Sequence, residues 1–423
     1  MVSQASYDLS DRLAALRGRA QSFRTAQRSY IPSEMSYLIL VPTLRCNLAC
    51  SYCQVSRVAE RASGFDWSEE TLNSVLEFIQ TLRVPRLKVE FQGGEPLLAL
   101  SHLKRVREFC RANLAEVEFV ICTNLLSISQ EAFEFLSHAD VTISTSFDGT
   151  KDLHRKQRMS SDEEMQGFLS NVRRLLARFG PNKLSALPTL DPECLPSADE
   201  LLDGYFEWGM SSIFLRPVAN YGFARKAHDA KVILDNWYQF HQKVVDEMIK
   251  RNFQRGTHFE DYYLSLCFRR MLRSDVNGHV DLRNPNLLGK DYVVIDYDGT
   301  FYPTDEARML TRTGQIDLSV GHVSGSVDQN KLNTLNAYSS NFGDPDCDSC
   351  RHQAYCGRDV IDDLSRYGRI DLPRSETEFC KRHLYMFGLI EDLLQSPDPA
   401  VRHSLALWAG IPDWDPILSK VSQ

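Results

Sequence analysis

From Ser36 to about Val218 the chain alternates short aliphatic or β-branched runs with longer helical patterns, and this alternation restricts the fold more than any other feature. YLILVPT, LKVEFQG, VEFVICTN, DVTISTSF, KLSALPT and SSIFLRPV read as strands. Stretches such as SEETLNSVLEFIQTL, LLALSHLKRVREFCRANL and EEMQGFLSNVRRLLARF between them read as helices. Six β/α pairings of this kind predict parallel strands with right-handed crossovers, in an open sheet or a partial or complete barrel. Ser68, followed by Glu69 and Glu70, predicts a capped helix start. In such folds reactive groups sit on the loops after the strand C-terminal ends, where the unusual residues of this chain fall.

From about Leu234 to Arg273 the pattern turns helical, with aromatics that read as core. DYVVIDYDGTFYPTD then predicts a hairpin across Asp298-Gly299, with both turn positions at positive φ. A loop-rich cysteine segment follows, and SETEFCKRHLYMFGLIEDLL reads as a closing helix. The expected divisions are a helical extension over 1–35, a barrel over 36–218, a helical bridge over 219–290, a cysteine-bearing domain over 291–395 and a tail over 396–423.

A net charge of -8 on 423 residues provides no global basic field, so nucleic acid is not an expected partner. The basic stretch of Arg12, Arg17, Arg19, Arg24 and Arg28 reads as a solvated helix face, the alternative being a receiver for an acidic leader peptide. No apolar run reaches the roughly 18 residues of a membrane span, and no secretion signal is visible, so the expected location is cytoplasmic and off the membrane. Eleven cysteines is an odd number. Seven fall into two groups, which in a reducing compartment argues for metal or cluster ligation over disulfides. Cys110, Cys122, Cys194 and Cys267 read as small buried hydrophobes, Cys267 having a further reading as a cluster cysteine that lacks partners.

LVPTLRCNLACSYC places Cys46, Cys50 and Cys53 directly after the first strand. An iron-sulfur cubane normally takes four cysteines, so three leave one iron open to a small ligand. A structural zinc site asks for four protein ligands, and the next histidine is as far away as His102. C-x-x-x-C-x-x-C with an aromatic, Tyr52, before its last cysteine is the signature of the radical S-adenosylmethionine (SAM) superfamily, which this sequence resembles closely.

That resemblance implies a partial (β/α)6 barrel of the α/β class, with a [4Fe-4S] cluster on Cys46, Cys50 and Cys53 that binds SAM and cleaves it reductively. Gly93, Gly94, Glu95 and Pro96 after the second strand match the GGEP element with which the superfamily binds the methionyl amino group. From the residues alone, the two glycines let backbone approach a ligand, or simply form a tight loop. Asn124 ends the third strand, and Ser146 with Arg158 twelve positions later fits the spacing of SAM contacts in the branch that matures peptides and sulfatases. An Arg fork suits a carboxylate. Arg216 ends the sixth strand on the same rim, as a SAM contact or an ion-pair partner. Asp148-Gly149 reads as turn chemistry.

CDSCRHQAYC supplies Cys347, Cys350 and Cys356, and Cys380 follows. The count suits structural zinc, and the spacing resembles the second auxiliary [4Fe-4S] site of SPASM domains, C-terminal extensions of radical SAM enzymes acting on peptides. The resemblance departs where Val360 and Thr304 stand in place of expected cysteines, so one auxiliary cluster is expected. In similar sulfatase-maturing enzymes an aspartate after the hairpin serves as base; Asp305 matches it, its alternative being an N-cap for EARML. The resemblance therefore implies hydrogen abstraction by a 5′-deoxyadenosyl radical from a ribosomally made precursor peptide, with an electron donor such as a flavodoxin or ferredoxin. The wording LVPTLRCNLACSYCQVSR is most similar to maturases of the His-Xaa-Ser peptide system. The alternatives are a sulfatase-type formylglycine maturase, a radical SAM enzyme for a small molecule, and a non-enzymatic zinc-binding scaffold.

Overall fold

The computed structural model describes residues 34–222, 233–272 and 279–410. The basic residues Arg12 to Arg28, and the expected N-terminal extension as far as residue 33, lie outside the described residues.

The strands among the described residues are β1 (Tyr37–Leu40), β2 (Arg45–Cys46), β3 (Val58–Ala59), β4 (Arg86–Phe91), β5 (Glu116–Cys122), β6 (Val141–Ser146), β7 (Leu184–Leu187), β8 (Ser212–Ile213), β9 (Glu260–Asp261), β10 (Tyr292–Ile295) and β11 (Phe301–Tyr302). One sheet carries the order β11-β10-β1-β4-β5-β6-β7, parallel except for the antiparallel β10–β11 hairpin. Helices α1 (Glu69–Thr81), α2 (Leu100–Asn113), α3 (Gln130–Leu136), α4 (Lys151–Arg158), α5 (Asp162–Phe179) and α6 (Ala198–Glu207) make the crossovers. Ser68 caps α1 as expected, accepting from the Thr71 N–H at 3.0 Å. In β6 the side chains alternate: Val141 and Ile143 enter the core under the helices, while Ser144 and Ser146 face the inside of the curved sheet.

The sixth β/α unit is reduced. Only Ser212–Ile213 forms a strand there, and it pairs with β9 rather than with β7. The segment meets the fifth unit through a single parallel bridge, Leu190 to Pro217. A proline has no N–H for a continuing ladder, which accounts for the one-bridge contact.

The predicted hairpin forms, with two differences. Only Gly299 takes a positive φ, +86°, and its N–H closes the turn on the Asp296 carbonyl at 3.0 Å. The hairpin also joins the barrel sheet: β10 lies parallel to β1, Tyr37 opposite Tyr292 and Leu40 opposite Ile295. The Trp67 indole N–H, just before α1, donates to the Asp296 carbonyl at 2.8 Å and fixes the turn to the barrel wall.

The remaining helices are α7 (Ile233–Arg255), α8 (Tyr262–Leu272), α9 (Asp305–Arg312), α10 (Gln329–Asn336), α11 (Pro345–Asp348), α12 (Val360–Tyr367), α13 (Glu378–Gln395) and α14 (Pro399–Ala409). The tail expected after residue 395 is thus partly helical. In α14, Val401, Leu405 and Trp408 fall on one face at helical spacing and are buried in the main core against α7 and α8. The Trp408 indole N–H donates to the Phe259 carbonyl at 2.9 Å. No helix among the described residues is long and apolar enough to cross a membrane. Trp408→Ala should destabilise the protein by about 3–5 kcal/mol in denaturant unfolding. A shift inside experimental error would mean that α14 is not part of the cooperative core.

Candidate active site

The C-terminal ends of β1 and β4 are clamped together by main chain. The Gly94 N–H donates to the Thr43 carbonyl at 3.0 Å and the Glu95 N–H to the Arg45 carbonyl at 2.8 Å. A Cβ on Gly94 would lie 2.2 Å from the Arg45 oxygen, and one on Gly93 would lie 2.2 Å from the Thr43 oxygen. The glycines are therefore required by the chain's own approach to itself, immediately ahead of Cys46. Gly93 additionally has φ +136°.

Beyond that clamp the cysteine loop is held at two further points. The Leu48 N–H donates to the Cys46 sulfur at 3.4 Å, and the Cys53 N–H to the Cys50 carbonyl at 3.2 Å. Tyr52 turns inward, and its hydroxyl donates to Asp148 at 2.6 Å. Arg158 donates to the same carboxylate at 3.1 Å, with its guanidinium carbon 4.9 Å from the Tyr52 ring centre. Asp148 also accepts from the Thr189 N–H at 3.1 Å. Burial pushes the Asp148 carboxyl up, but Arg158, His154 and Tyr52 outweigh it and hold the group at about 2. Asp148 is thus a buried anion joining the cysteine loop, the end of β6 and α4. Its place in an Asp-Gly pair reads as turn chemistry, and the sequence carries no separate signal for this role.

Cys46, Cys50, Cys53, Tyr52, Gly93, Gly94, Asn124, Ser146, Arg158 and Arg216 line one cavity of about 1190 Å³. Glu95 and Pro96 do not line it. Pro96 opens a short 3-10 turn, and the buried Glu95 carboxylate accepts from the N–H groups of Leu97 at 3.1 Å and Asn124 at 2.8 Å. Asn124 in turn donates to Asn47 at 2.8 Å, inside the cysteine loop. Asp305 also lines the cavity, from the first turn of α9, and Arg308 holds its Oδ1 at 2.8 Å. Burial raises the Asp305 carboxyl while Arg308 pulls it down. The helix is capped by Thr304, whose hydroxyl accepts from the Ala307 N–H at 3.0 Å, which leaves the Asp305 carboxylate to the cavity.

The second cysteine group also converges. Cys347 lies on α11, Cys350 and Cys356 in the loop that follows, and Cys380 in the first turn of α13. Burial raises the Cys356 thiol, and the nearby Cys347, Cys380 and Cys350 raise it further. Val360 starts α12 and packs in an apolar cluster with Ala307, Leu310, Leu288 and Tyr221. The two positions without the expected cysteines are therefore occupied by a core contact and a helix cap. Among the lone cysteines, Cys110 is buried as expected, but Cys194 is exposed and Cys122 lines the cavity. Cys122 sits at an inward position of β5, where its thiol donates to Glu90 at 3.3 Å. Glu90 itself was not singled out by the sequence, because a charged residue inside a strand pattern reads as solvent-facing.

Burial raises the Glu95 carboxyl to about 7, against the opposing pull of the Asn124 and Leu97 N–H groups and the Thr123 hydroxyl. A carboxyl whose folded pKa exceeds its unfolded value holds its proton more tightly when folded. Stability is then lost as pH rises from about 4.3 to the folded value. Glu95→Gln should therefore gain on wild type by about 3 kcal/mol between pH 4 and pH 8 in urea unfolding. A difference independent of pH would mean that Glu95 titrates normally.

Residues 40–201 match the family model of the Radical SAM superfamily. A cysteine-type anaerobic sulfatase-maturating enzyme of Clostridium perfringens is 28% identical over 131 residues, 29% of this chain and 35% of that protein. The chain spans 35% to 65% of the lengths of the curated relatives it matches. Among solved structures, native anSMEcpe with bound AdoMet and a Cp18Cys peptide has a TM-score of 0.65 at 16% identity, over 83% of this chain and 95% of that one. Streptococcus suis SuiB bound to precursor peptide SuiA has a TM-score of 0.58 at 12% identity, over 90% of this chain and 83% of that one.

A domain of this superfamily works with a [4Fe-4S] cluster and SAM, and the residues present fit both. Three soft sulfur donors share one cavity. Among the described residues no three His, Cys, Asp or Glu side chains are drawn together tightly enough for a single metal ion. A four-iron cluster takes its thiolates on different irons. Residues 40–201 are therefore a radical SAM superfamily domain, and the chain that carries it has the fold of those two structures.

Proposed function

We propose that this chain is a radical SAM enzyme that installs a post-translational modification on a ribosomally made precursor peptide. The observation that carries this reading is the convergence of Cys46, Cys50 and Cys53 with Gly93, Gly94, Asn124, Ser146, Arg158 and Asp305 around one cavity at the strand C-terminal ends. Bound there, the cluster and SAM supply a 5′-deoxyadenosyl radical able to take a hydrogen atom from an unactivated carbon.

The chain's own residues divide the remaining tasks. Cys46, Cys50 and Cys53 hold the cluster, and the backbone at Gly93 and Gly94 with the Ser146 hydroxyl offers polar contacts to SAM. Arg158, fixed by Asp148, and Arg216 present guanidinium groups to its carboxylate. Asn124 and Tyr52 hold the cysteine loop in register. Asp305, oriented by Arg308, takes the proton that substrate oxidation releases. Cys347, Cys350, Cys356 and Cys380 would hold one auxiliary [4Fe-4S] cluster able to take up an electron, and the external electron donor would be of the flavodoxin or ferredoxin kind. Peptide-bound relatives of the same fold support a peptide substrate. A sulfatase-type formylglycine maturase is the second reading, favoured by the sequence match to such an enzyme; Val360 and Thr304 in place of cysteines weigh against it.

Anaerobically reconstituted protein should contain about eight iron atoms per chain and form 5′-deoxyadenosine from SAM with a strong reductant. Changing Cys46, Cys50 and Cys53 together to Ala should halve the iron and abolish the product. Product formation by that triple variant would overturn the assignment, and about twelve irons in the wild type would overturn the single auxiliary cluster.

A further inference from the structure

Glu90 is one of several charged residues that line the cavity without holding cluster, SAM or proton. Glu90 projects inward from β4, where its carboxylate accepts from the Tyr37 hydroxyl at 2.7 Å, the Gln92 amide at 2.7 Å and the Cys122 thiol at 3.3 Å. All four residues line the cavity. Each of these donors is neutral. Burial and the charge of Glu90 both raise the Tyr37 hydroxyl far above its ordinary value, so it stays a donor and neutralises nothing. The neighbouring acids are treated differently: Asp305 has Arg308 and Asp148 has Arg158. Lys88, two residues earlier on the same side of β4, has its ammonium 4.9 Å from the centre of the Tyr37 ring.

A carboxylate has about four acceptor sites. Here two on Oε1 and one on Oε2 are taken, so one on Oε2 is left towards the cavity. An anion in a partly desolvated cavity that meets only neutral donors is stabilised most by a cation brought in from outside. We propose that Glu90 is a specificity-determining residue that pairs with a cationic side chain of the substrate peptide: a lysine, an arginine or a protonated histidine. Tyr37, Gln92 and Cys122 fix its carboxylate for that contact, and Asp305, whose carboxyl the charge of Glu90 already raises, adds to the repulsion of an acidic side chain there. The inference rests on the peptide-modifying reading and adds the chemical class of the residue that reaches the cavity.

The test uses fluorescein-labelled seven-residue peptides, Gly-Gly-Ser-Xaa-Ser-Gly-Gly with Xaa as Lys, Arg, His, Gln, Leu or Glu. Their binding to the reconstituted full-length protein in the presence of SAM is followed by anisotropy. Wild type should bind the Lys and Arg peptides roughly tenfold more tightly than the Gln and Leu peptides, and the Glu peptide most weakly, with the His peptide improving below about pH 6.5. Glu90→Gln should level the series, and Glu90→Lys should favour the Glu peptide. Equal binding of all peptides by wild type overturns the proposal without any variant, as does a basic preference that survives Glu90→Gln. Formation of 5′-deoxyadenosine by the wild type without peptide reports separately on the radical SAM reading, so failure of that reading is distinguishable from failure of this one.

Discussion

Two main-chain hydrogen bonds, from Gly94 to Thr43 and from Glu95 to Arg45, set the position of everything above the sheet. They form only because the Cβ positions at 93 and 94 are empty, since either would run into a carbonyl oxygen at 2.2 Å. From this contact the constraint spreads sideways. Glu95 reaches the Asn124 amide at the end of β5, and Asn124 returns to Asn47 within the cysteine loop. Three strand ends and the loop between them therefore form a closed ring of polar contacts.

A second tie holds the opposite side. Asp148 gathers the Tyr52 hydroxyl, the Arg158 guanidinium and the Thr189 N–H on one fully buried carboxylate. Buried ion pairs add little stability over apolar packing, but a pair with each lone pair engaged fixes geometry well. The Arg158 side chain, long and flexible when free, is thereby presented to the cavity in one orientation.

The helices and most of the strands were legible in the sequence because they rest on local patterning. Period-2 and period-3.6 runs, the cap at Ser68 and the turn glycine at Gly299 each act within a few residues. What escaped was non-local. Nothing in DYVVIDYDG says that it will lie beside YLIL, or that Trp408 will sit on α8, since those partners are far apart in the chain. The two cysteine groups were visible from spacing, whereas the reasons for Gly93, Gly94 and Glu95 were not: a glycine pair looks the same whether a ligand or the chain itself approaches it. Asp148 was hidden by its fitness for a turn, and Glu90 by the expectation that a strand charge faces water. Charged residues inside a barrel are legible only once the curvature of the sheet shows which face is inward.

The parallel pairing of β10 with β1 has a further bearing on how such a chain is divided. A strand that contributes a full ladder to the first strand of the barrel covers what would otherwise be an open hydrogen-bonding edge. Barrel and cysteine-bearing segment thus share one continuous sheet. A chain cut after residue 290 would keep the pairing of YLIL with β4 but leave the main-chain groups that face β10 open to another strand. The C-terminal segment is in that sense a wall of the barrel as well as a carrier of cysteines.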